Sequence, residues 1–331
     1  MQILPLPIKL DVGLDAAGIV ALADIATVQQ RTALTGTAVL LDALVLCPGI
    51  HMQQKAPELN LGEYPACAAL TTGFVFRIEN SAMVYYLQQV GKTGQLTELS
   101  VSSPLSGDTS FRSTIFSHRN TTRTSSFAYG LIVLLTVTVI VLIGLAGDWW
   151  GIAVMALLIL SRLCNVIVIR KRSKPGWSGA SEPGVQGDLL VLLSQDRWIR
   201  IRGAVDDLKL VTSGQWLRDQ TIAESWATAL ATVIVYLDAA LVSNLTQFGK
   251  ILLVALLIVS VGLLAIANNA TMNLQMHNRI VSVVGPPRSY NRRLDLAAEL
   301  IAETGRDDWA VRLGMIVRNG CQCSDAMRAT M

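Results

Sequence analysis

Three ionisable side chains, Arg162, Glu224 and Asp238, lie within or at the edge of apolar stretches of the sequence, and they are the first candidates for chemistry. Arg162 lies about eight residues, roughly 12 Å of helix, from the basic end of its stretch. An ionisable group at that depth in a membrane costs a few kcal/mol and marks a functional position by default. We expect Glu224, near the start of another apolar stretch, to be its ionic partner. The alternative is that Arg162 extends to the lipid headgroups while Glu224 lies at the interface.

Asn165 and Asp238 complete the set of intramembrane polar candidates. Asn165 and Ser161 flank Arg162, and side chains of this kind form hydrogen bonds between packed membrane helices. Asp238 lies toward the opposite end of its apolar stretch, too far from Arg162 for a direct ion pair. We expect an interfacial carboxylate there, and a role in transport is the alternative.

A further set of candidates follows one predicted strand between the apolar blocks. Arg197, Arg200 and Arg202 give this strand a basic face close to the membrane. Each such charge contributes about 1 kcal/mol to the binding of anionic lipid headgroups near a membrane surface. The alternative is ion pairing within the loop, to three nearby carboxylates: Asp196, Asp206 and Asp207.

The sequence contains no recognisable catalytic or metal-binding motif. The three histidines are scattered, and the five cysteines have neither zinc-site spacing nor the even count of a disulfide framework. No nucleophile with a nearby base and no phosphate-binding loop of the required spacing is present. We therefore expect no metal, no cofactor and no enzymatic activity. The net charge of +3 is too small to predict binding of nucleic acid.

The composition is that of a membrane protein. Of the 331 residues, 52% are hydrophobic and 15% are charged, and the mean hydropathy is +0.47. A soluble domain carries about 25% charged residues. The apolar residues concentrate in two blocks, with predicted spans at Tyr129–Ala146, Ile152–Ile169, Ile222–Val242 and Lys250–Ala267. We predict an α-helical membrane protein with four transmembrane helices as two hairpins.

The segment before the first block contains shorter apolar stretches. Asp15–Gln30 has the periodicity of an amphipathic helix. Ala33–Cys47 includes Asp42, stops at Pro48–Gly49, and is shorter than the roughly 20 residues that a spanning helix needs. We expect a buried helix or strand at Ala33–Cys47, and an additional span is the alternative.

The water-facing parts predict a small mixed α/β portion. Leu189–Leu193 and Trp198–Arg202, with a polar turn at Ser194–Asp196, have the pattern of a β-hairpin. Amphipathic helices are predicted at Asn291–Thr304 and Asp308–Val317.

A loose sequence repeat accompanies the two hairpins. The pattern R-x-[IV]-x-[IV]-x-G occurs at Arg197–Gly203 and again at Arg279–Gly285, each time after a pair of predicted spans. The repeat is compatible with a duplicated unit of helical hairpin plus strand.

These features divide the chain into five segments. They are an N-terminal cytosolic or interfacial segment 1–128, a transmembrane hairpin 129–170, a basic cytosolic loop 171–221, a second transmembrane hairpin 222–268 and a cytosolic tail 269–331. Lys and Arg are nearly absent from the hairpin tips but flank the other helix ends. Because such residues stay on the cytosolic side, we predict that both termini and the middle loop are cytosolic. The alternative is that Ala33–Cys47 also spans the membrane, which would place the N-terminus on the opposite side.

One run of sequence resembles a known group of proteins. The run is DRWIRIRGAVDDLKLVTSGQWLRD, from Asp196 to Asp219, between the two predicted hairpins. It resembles an uncharacterised family of multi-pass membrane proteins of filamentous fungi, and the resemblance covers Tyr129–Val317. The family has no known activity, so the resemblance implies a fungal source and a multi-pass fold but no mechanism.

The functional hypothesis is a non-enzymatic membrane scaffold or regulatory protein whose cytosolic parts contact a protein partner or the lipid bilayer. The very short loops between paired spans support it, because they leave no room for a receptor ectodomain. One alternative is a transporter or channel component. It would require a homo-oligomer, because four spans with few charged residues are insufficient to form a transport pathway within one monomer. A less favoured alternative is a membrane-embedded enzyme acting on a hydrophobic substrate, which would need polar residues around a cavity at one depth.

Overall fold

The computed structural model describes residues 17–103 and 122–317. The chain forms two compact units, each built from three separate stretches of sequence. The first, which we call the membrane unit, comprises residues 17–56, 122–172 and 219–271 of the described chain. The second, the sheet unit, comprises residues 57–103, 173–218 and 272–317.

Both α-helices and 3-10 helices occur in the described chain. The α-helices are α1 (Thr27–Thr35), α2 (Ser81–Val90), α3 (Arg123–Leu145), α4 (Trp149–Arg172), α5 (Val205–Thr212), α6 (Ile222–Leu241), α7 (Gln247–Asn269), α8 (Arg293–Thr304) and α9 (Asp308–Arg312). The 3-10 helices are η1 (Ala17–Leu22), η2 (Leu40–Leu44), η3 (Ile50–Asn60) and η4 (Val242–Asn244).

Four of these helices, α3, α4, α6 and α7, are long and apolar enough to cross a membrane. They agree with the predicted spans to within six residues at each end. Their β-branched residues are no obstacle, because in lipid the helix is the single-segment structure that satisfies its own backbone. Threonine hydroxyls accept a backbone N–H at the start of three of them: Thr122 for α3, Thr221 for α6 and Thr246 for α7.

The long helices bury aliphatic side chains between them and present others outward. The main packing joins α3 to α7 and α4 to α6. Residues such as Ile132, Leu158 and Leu257 lie in the shared core. Large apolar side chains, among them Leu134 and Val233, are exposed on the outer surface. A bundle with so apolar an exterior is suited to lipid rather than to water.

Residues 17–56 complete the membrane unit without a fifth long helix. The predicted amphipathic helix Asp15–Gln30 is wrong in its described part, because η1 ends at Leu22 and α1 begins at Thr27. Between them the backbone of Ile25 approaches Gly49, where a Cβ would lie 2.5 Å from the Ile25 carbonyl oxygen. That close approach, together with a φ of +82° at position 49, requires glycine there.

The expectation of a buried structure at Ala33–Cys47 is confirmed, but the stretch belongs to the membrane unit and not to a cytosolic or interfacial segment. The stretch holds the end of α1 and the short η2, and most of its residues are buried. Irregular backbone is tolerated within a membrane protein where it is buried in protein rather than exposed to lipid.

This segment extends from one end of the helix bundle to the other. η1 packs against α6 and against η4, the tip that joins α6 to α7, and a Cβ on Gly18 would overlap the Ala239 carbonyl oxygen. At the other end Gln54 Oε1 accepts hydrogen bonds from Arg172, the last residue of α4, at 2.8 Å and from Gln220, just before α6, at 3.1 Å. The described chain therefore begins at the tip end of the bundle and leaves it at the opposite end.

The two helix-joining turns at the tip end are linked by Asp148. Its carboxylate accepts hydrogen bonds from the Gly151 amide at 2.9 Å and from the Thr246 amide and hydroxyl at 2.9 and 2.7 Å. Burial alone would raise the pKa of Asp148, but these hydrogen bonds outweigh it and hold the pKa below its usual value. Asp148 therefore connects the α3–α4 turn to the start of α7.

The sheet unit is organised around one mixed sheet of eight strands. The strands are β1 (Ala66–Ala69), β2 (Val75–Arg77), β3 (Gln95–Ser102), β4 (Gln186–Leu193), β5 (Arg197–Ala204), β6 (Leu274–Met276), β7 (Arg279–Val283) and β8 (Arg288–Ser289). Their order is β2-β1-β4-β5-β3-β7-β6, and β8 pairs with the start of β3. The central pair, β3 and β5, is parallel, and the other pairs are antiparallel.

The predicted β-hairpin is confirmed as β4 and β5, and β6 and β7 form a second one. Both turns contain two consecutive residues with positive φ: Gln195 and Asp196 in the first, His277 and Asn278 in the second. The two-residue β6–β7 turn has the pattern of type I′, whose twist matches that of the strands, whereas the β4–β5 turn has three residues between the paired Leu193 and Arg197. The repeated sequence pattern lies on β5 and β7, which border opposite edges of β3, so the duplication stays a prediction.

Helices cover both faces of the sheet. Trp198 and Leu190 pack with Leu296 and Leu300 of α8 on one face. On the other face Leu208 of α5 lies against Gly187. The predicted helix Asn291–Thr304 is confirmed as α8, which ends at Gly305 with a φ of +68°. The second predicted helix is shorter than expected, because α9 ends at Arg312 and Gly314 has positive φ.

Candidate functional site

Arg162 lies inside the membrane unit, where its side chain is 3% exposed. Its Nε donates a hydrogen bond to the Asp42 carbonyl oxygen at 3.1 Å, and its Nη1 donates one to Gln53 Oε1 at 2.6 Å. The guanidinium group therefore contacts protein and does not extend to lipid headgroups. Both acceptors belong to the segment 17–56.

Asp42 is the carboxylate of this site. One oxygen accepts the backbone N–H of Val39 at 2.8 Å, which closes the start of η2, and the other accepts the hydroxyl of Tyr129 in α3 at 2.6 Å. Because the Asp42 carbonyl also holds Arg162, this residue joins η2 to both α3 and α4.

Arg31 of α1 supplies a second buried guanidinium group. Its Nη1 donates hydrogen bonds to the hydroxyls of Ser125 at 3.2 Å and Thr271 at 3.0 Å. The guanidinium carbon lies 5.6 Å from the centre of the Tyr129 ring, within range of a cation–π interaction. Arg31 thereby ties α1 to the start of α3 and the end of α7.

Two amide side chains extend the site. Gln53 donates to the Thr32 hydroxyl at 2.9 Å, and Asn165 of α4 donates to the Ile50 carbonyl oxygen at 3.2 Å. We call the group Arg31, Asp42, Gln53, Tyr129, Arg162 and Asn165 the polar network. Its side chains bond to one another and to backbone, so the network binds the segment 17–56 into the helices.

The predicted ion pair between Arg162 and Glu224 is wrong. Glu224 accepts the backbone N–H of Thr221 at 3.0 Å while its own N–H donates to the Thr221 hydroxyl, which is a capping box at the start of α6. The reason is that the segment 17–56 supplies acceptors to Arg162 that local sequence reasoning did not place there.

Asp238 differs from the polar network. Its side chain is 0% exposed, and neither carboxylate oxygen has a hydrogen-bond partner among the described residues. It shares the side of α6 that carries Ala231, whose carbonyl oxygen accepts the hydroxyl of Ser161 in α4 at 2.7 Å. Because α4 and η1 pack against α6, the side chain is buried in protein. The expected interfacial depth of Asp238 in the membrane stays a prediction.

The three arginines predicted to bind lipid headgroups lie on β5, where carboxylates already hold them. Arg200 is 2% exposed and binds Asp188 at 2.5 Å and Glu303 at 2.6 Å. Burial would lower its pKa, but these two carboxylates outweigh burial and raise it. Arg202 lies 3.1 Å from Glu303, and Arg197 lies 3.9 Å from Glu63. Ion pairing was the alternative, but the expected partners Asp196, Asp206 and Asp207 are not the ones used.

Sequence reasoning missed Arg31, Gln53 and Tyr129 as members of the site. Their partners are distant in sequence, so no local pattern connects them. One signal was available, since Asp42 interrupts an otherwise apolar run. Within residues 17–103 and 122–317 no cluster of three metal-binding side chains occurs.

Comparisons with known proteins give no family for this chain. No protein-family model matches it. No curated protein and no solved structure is significantly similar to it. The resemblance to fungal multi-pass membrane proteins therefore stays a prediction.

Proposed function

We propose that this chain is a multi-pass membrane protein of non-enzymatic function, a scaffold or regulatory protein. In this proposal α3 and α4 cross the membrane as one hairpin, and α6 and α7 cross it as another. They anchor the sheet unit on the cytosolic side, where it contacts a protein partner or the lipid surface.

The observation that carries the proposal is where the strands of the sheet lie in the sequence. β1 to β3 precede the first pair of long helices, β4 and β5 lie between the two pairs, and β6 to β8 follow the second pair. All eight strands belong to one sheet. Strands on opposite sides of a membrane cannot share hydrogen bonds, so each pair of helices must return the chain to the side from which it started.

The distribution of basic residues supports a cytosolic location for the sheet unit. α4 ends in Arg170, Lys171 and Arg172, on the side from which the chain continues into the sheet. The tip at Asp148–Trp150 contains no Lys or Arg and carries two exposed tryptophans. Basic flanks are retained in the cytosol, and tryptophan is enriched at membrane interfaces.

The position of η1 refines the predicted topology. Because η1 lies with η4 at the tip end, we propose that η1, the first described element, lies at the non-cytosolic end of the bundle and that the chain enters the bundle from that side. This differs from the expectation that both termini are cytosolic. Residues 23–56 would then return the chain to the cytosolic end within the bundle.

The polar network supports anchoring over catalysis. Arg162 and Arg31 contact acceptors supplied by the protein itself. Groups held in this way fix one packing arrangement, and they are not directed at a bound molecule. The membrane-embedded enzyme is therefore the weakest of the three functional hypotheses, after the scaffold or regulatory protein and the transporter or channel component.

One observation favours transport as a second candidate function. Asp238 is a buried carboxylate without a hydrogen-bond partner among the described residues, inside a helix of spanning length. Such a group is unfavourable in a membrane core and commonly marks an ion or proton pathway.

A flux assay separates the two functions. Purified protein is reconstituted into liposomes loaded with a pH-sensitive dye, and proton flux is compared with that of protein-free liposomes. The proposal predicts no added flux from the wild type. Flux that is abolished by Asp238→Asn and retained by Asp24→Asn, an exposed carboxylate of the same unit, would replace the scaffold proposal with transport.

A further inference from the structure

The sheet unit contains a groove that the proposed function does not use. Its volume is about 650 Å³, within the range of pockets that hold small molecules. It is lined by Tyr64, Arg77, Glu79, Trp177, Ser213 and Gln215. These residues come from four places: the residues just before β1, the end of the edge strand β2 and the residues after it, the loop before β4, and the residues after α5.

One wall of the groove carries two opposite charges. Arg77 ends β2 and Glu79 follows two residues later, and both are exposed while Ile78 between them is buried. Neither forms an ion pair within the described part of the chain, although elsewhere in this unit arginines such as Arg202 and Arg288 are paired with carboxylates. Arg77 and Glu79 are therefore available to a ligand that carries both signs of charge.

Two aromatic rings complete the lining. Tyr64 is 51% exposed and Trp177 is 79% exposed, although both have large apolar rings. The face of such a ring attracts cations, and quaternary ammonium groups are bound in proteins by aromatic side chains of this kind. A nearby carboxylate, in this groove Glu79, adds to that attraction.

We infer that the groove binds a zwitterionic phosphocholine group. The quaternary ammonium would lie against Trp177 and Tyr64 near Glu79, and Arg77 would bind the phosphate, for which guanidinium geometry is suited. A simple anion would be repelled by Glu79, and a simple cation by Arg77. The group can come from phosphatidylcholine or from a soluble phosphocholine ester. The inference depends on neither the membrane topology nor the scaffold function.

Isothermal titration of the full chain in maltoside detergent, free of choline headgroups, tests the inference. The probes are phosphocholine, choline, inorganic phosphate and a short-chain phosphatidylcholine below its micelle concentration. We expect phosphocholine to bind more tightly than choline or phosphate. Trp177→Ala and Arg77→Gln should each weaken binding about tenfold, the effect of losing one cation–π contact or charge-assisted bond. Trp226→Ala, an equally exposed tryptophan of the membrane unit, should leave the affinity unchanged.

The same titrations identify the source of the group. Tighter binding of the short-chain lipid than of phosphocholine would assign the groove to phosphatidylcholine, and equal affinities would assign it to a soluble ester. Absence of phosphocholine binding would overturn the inference. So would binding that survives both groove variants, or that choline or phosphate alone reproduces. Both substituted side chains are exposed, and near-ultraviolet circular dichroism confirms that each variant is folded.

Discussion

The two units bury arginine in different ways. In the membrane unit Arg162 is held by two uncharged oxygens, the Asp42 carbonyl and the Gln53 amide. In the sheet unit Arg200 is equally buried, but two carboxylates hold it, Asp188 and Glu303.

The difference shows how each unit limits the cost of burying charge. In the membrane unit, uncharged hydrogen-bond acceptors and one carboxylate stabilise two buried guanidinium groups. Because segment 17–56 contributes Arg31 and the acceptors of Arg162, the hydrogen bonds also fix the path of that segment. In the sheet unit paired charges at the surface of the sheet are partly solvated, since Glu303 is half-exposed. Breaking the first arrangement should therefore have the larger effect.

The largest effect is expected from Asp42→Asn. The substitution leaves one acceptor oxygen for Tyr129, loses the acceptor of the Val39 N–H, and removes the carboxylate charge that acts on the buried Arg31. Removing one partner from a buried charged group costs about 3–5 kcal/mol, and we expect a loss of about 3 kcal/mol in the free energy of unfolding. The measurement is detergent-induced unfolding in mixed micelles.

Thr138→Val is the matched control for that substitution. Its hydroxyl is exposed on α3 and bonds to Leu134 of its own helix, so the free energy of unfolding should change by less than about 0.5 kcal/mol. If Asp42→Asn is as mild as this control, the polar network does not hold the segment.

Arg200→Ala should have the next largest effect. It leaves Asp188 without its closest partner at the sheet surface, and we expect a loss of about 2–3 kcal/mol, seen as faster hydrogen exchange of β5 amides. Arg202→Ala removes longer contacts of an exposed side chain and should cost less than about 1 kcal/mol. Equal protection in both variants would contradict the distinction between the two arginines.

Acid should weaken the sheet unit through Glu303. A hydrogen bond from Arg200 holds the pKa of Glu303 below its usual value. A carboxyl group with a lowered folded-state pKa stabilises the fold above its unfolded pKa, about 4.3, and that stability is lost as the pH falls further. The protection factors of α8 amides, which correct for the intrinsic pH dependence of exchange, should therefore fall below that pH. Glu303→Gln should flatten the dependence, and an unchanged profile in this variant would exclude Glu303 as its source.

The smallest effect is expected from Gln195→Gly. Gln195 has a φ of +63° in the β4–β5 turn, a conformation that glycine adopts without steric strain. The substitution should stabilise the sheet unit by about 0.5 kcal/mol. Gln215→Gly, which has no positive φ, should not stabilise the protein. Destabilisation by Gln195→Gly would show that the turn is not strained.

Features set by local physics could be predicted from the sequence. The four spans follow from the length of the apolar stretches, since in lipid a single segment satisfies its backbone hydrogen bonds as a helix. The β4–β5 hairpin and α8 follow from alternation and from glycine at the helix end. In each case the residues that determine the element are adjacent in the chain.

Features set by distant contacts could not be predicted. β3, β5 and β7 come from three separated stretches of the chain, and β3 pairs with the other two only when these stretches fold together. Arg31 meets Thr271, which is 240 positions away, and Arg162 meets Asp42, which is 120 positions away. The sequence indicates Glu224 as the partner of Arg162 because Glu224 lies near the cytosolic start of another span, whereas the acceptors of Arg162 lie before the first span.

Membrane topology tests the central claim most directly. Protease sites are placed before Met1, after Gly176 and after Met331, and sealed vesicles with their cytosolic face outward are digested. The account predicts cleavage at the second and third sites, because Gly176 lies in the sheet unit and the third site follows the sheet unit in the chain, and protection of the first. Protection at the second or third site would contradict a sheet assembled on the cytosolic side, and cleavage before Met1 would contradict the proposed path of residues 17–56.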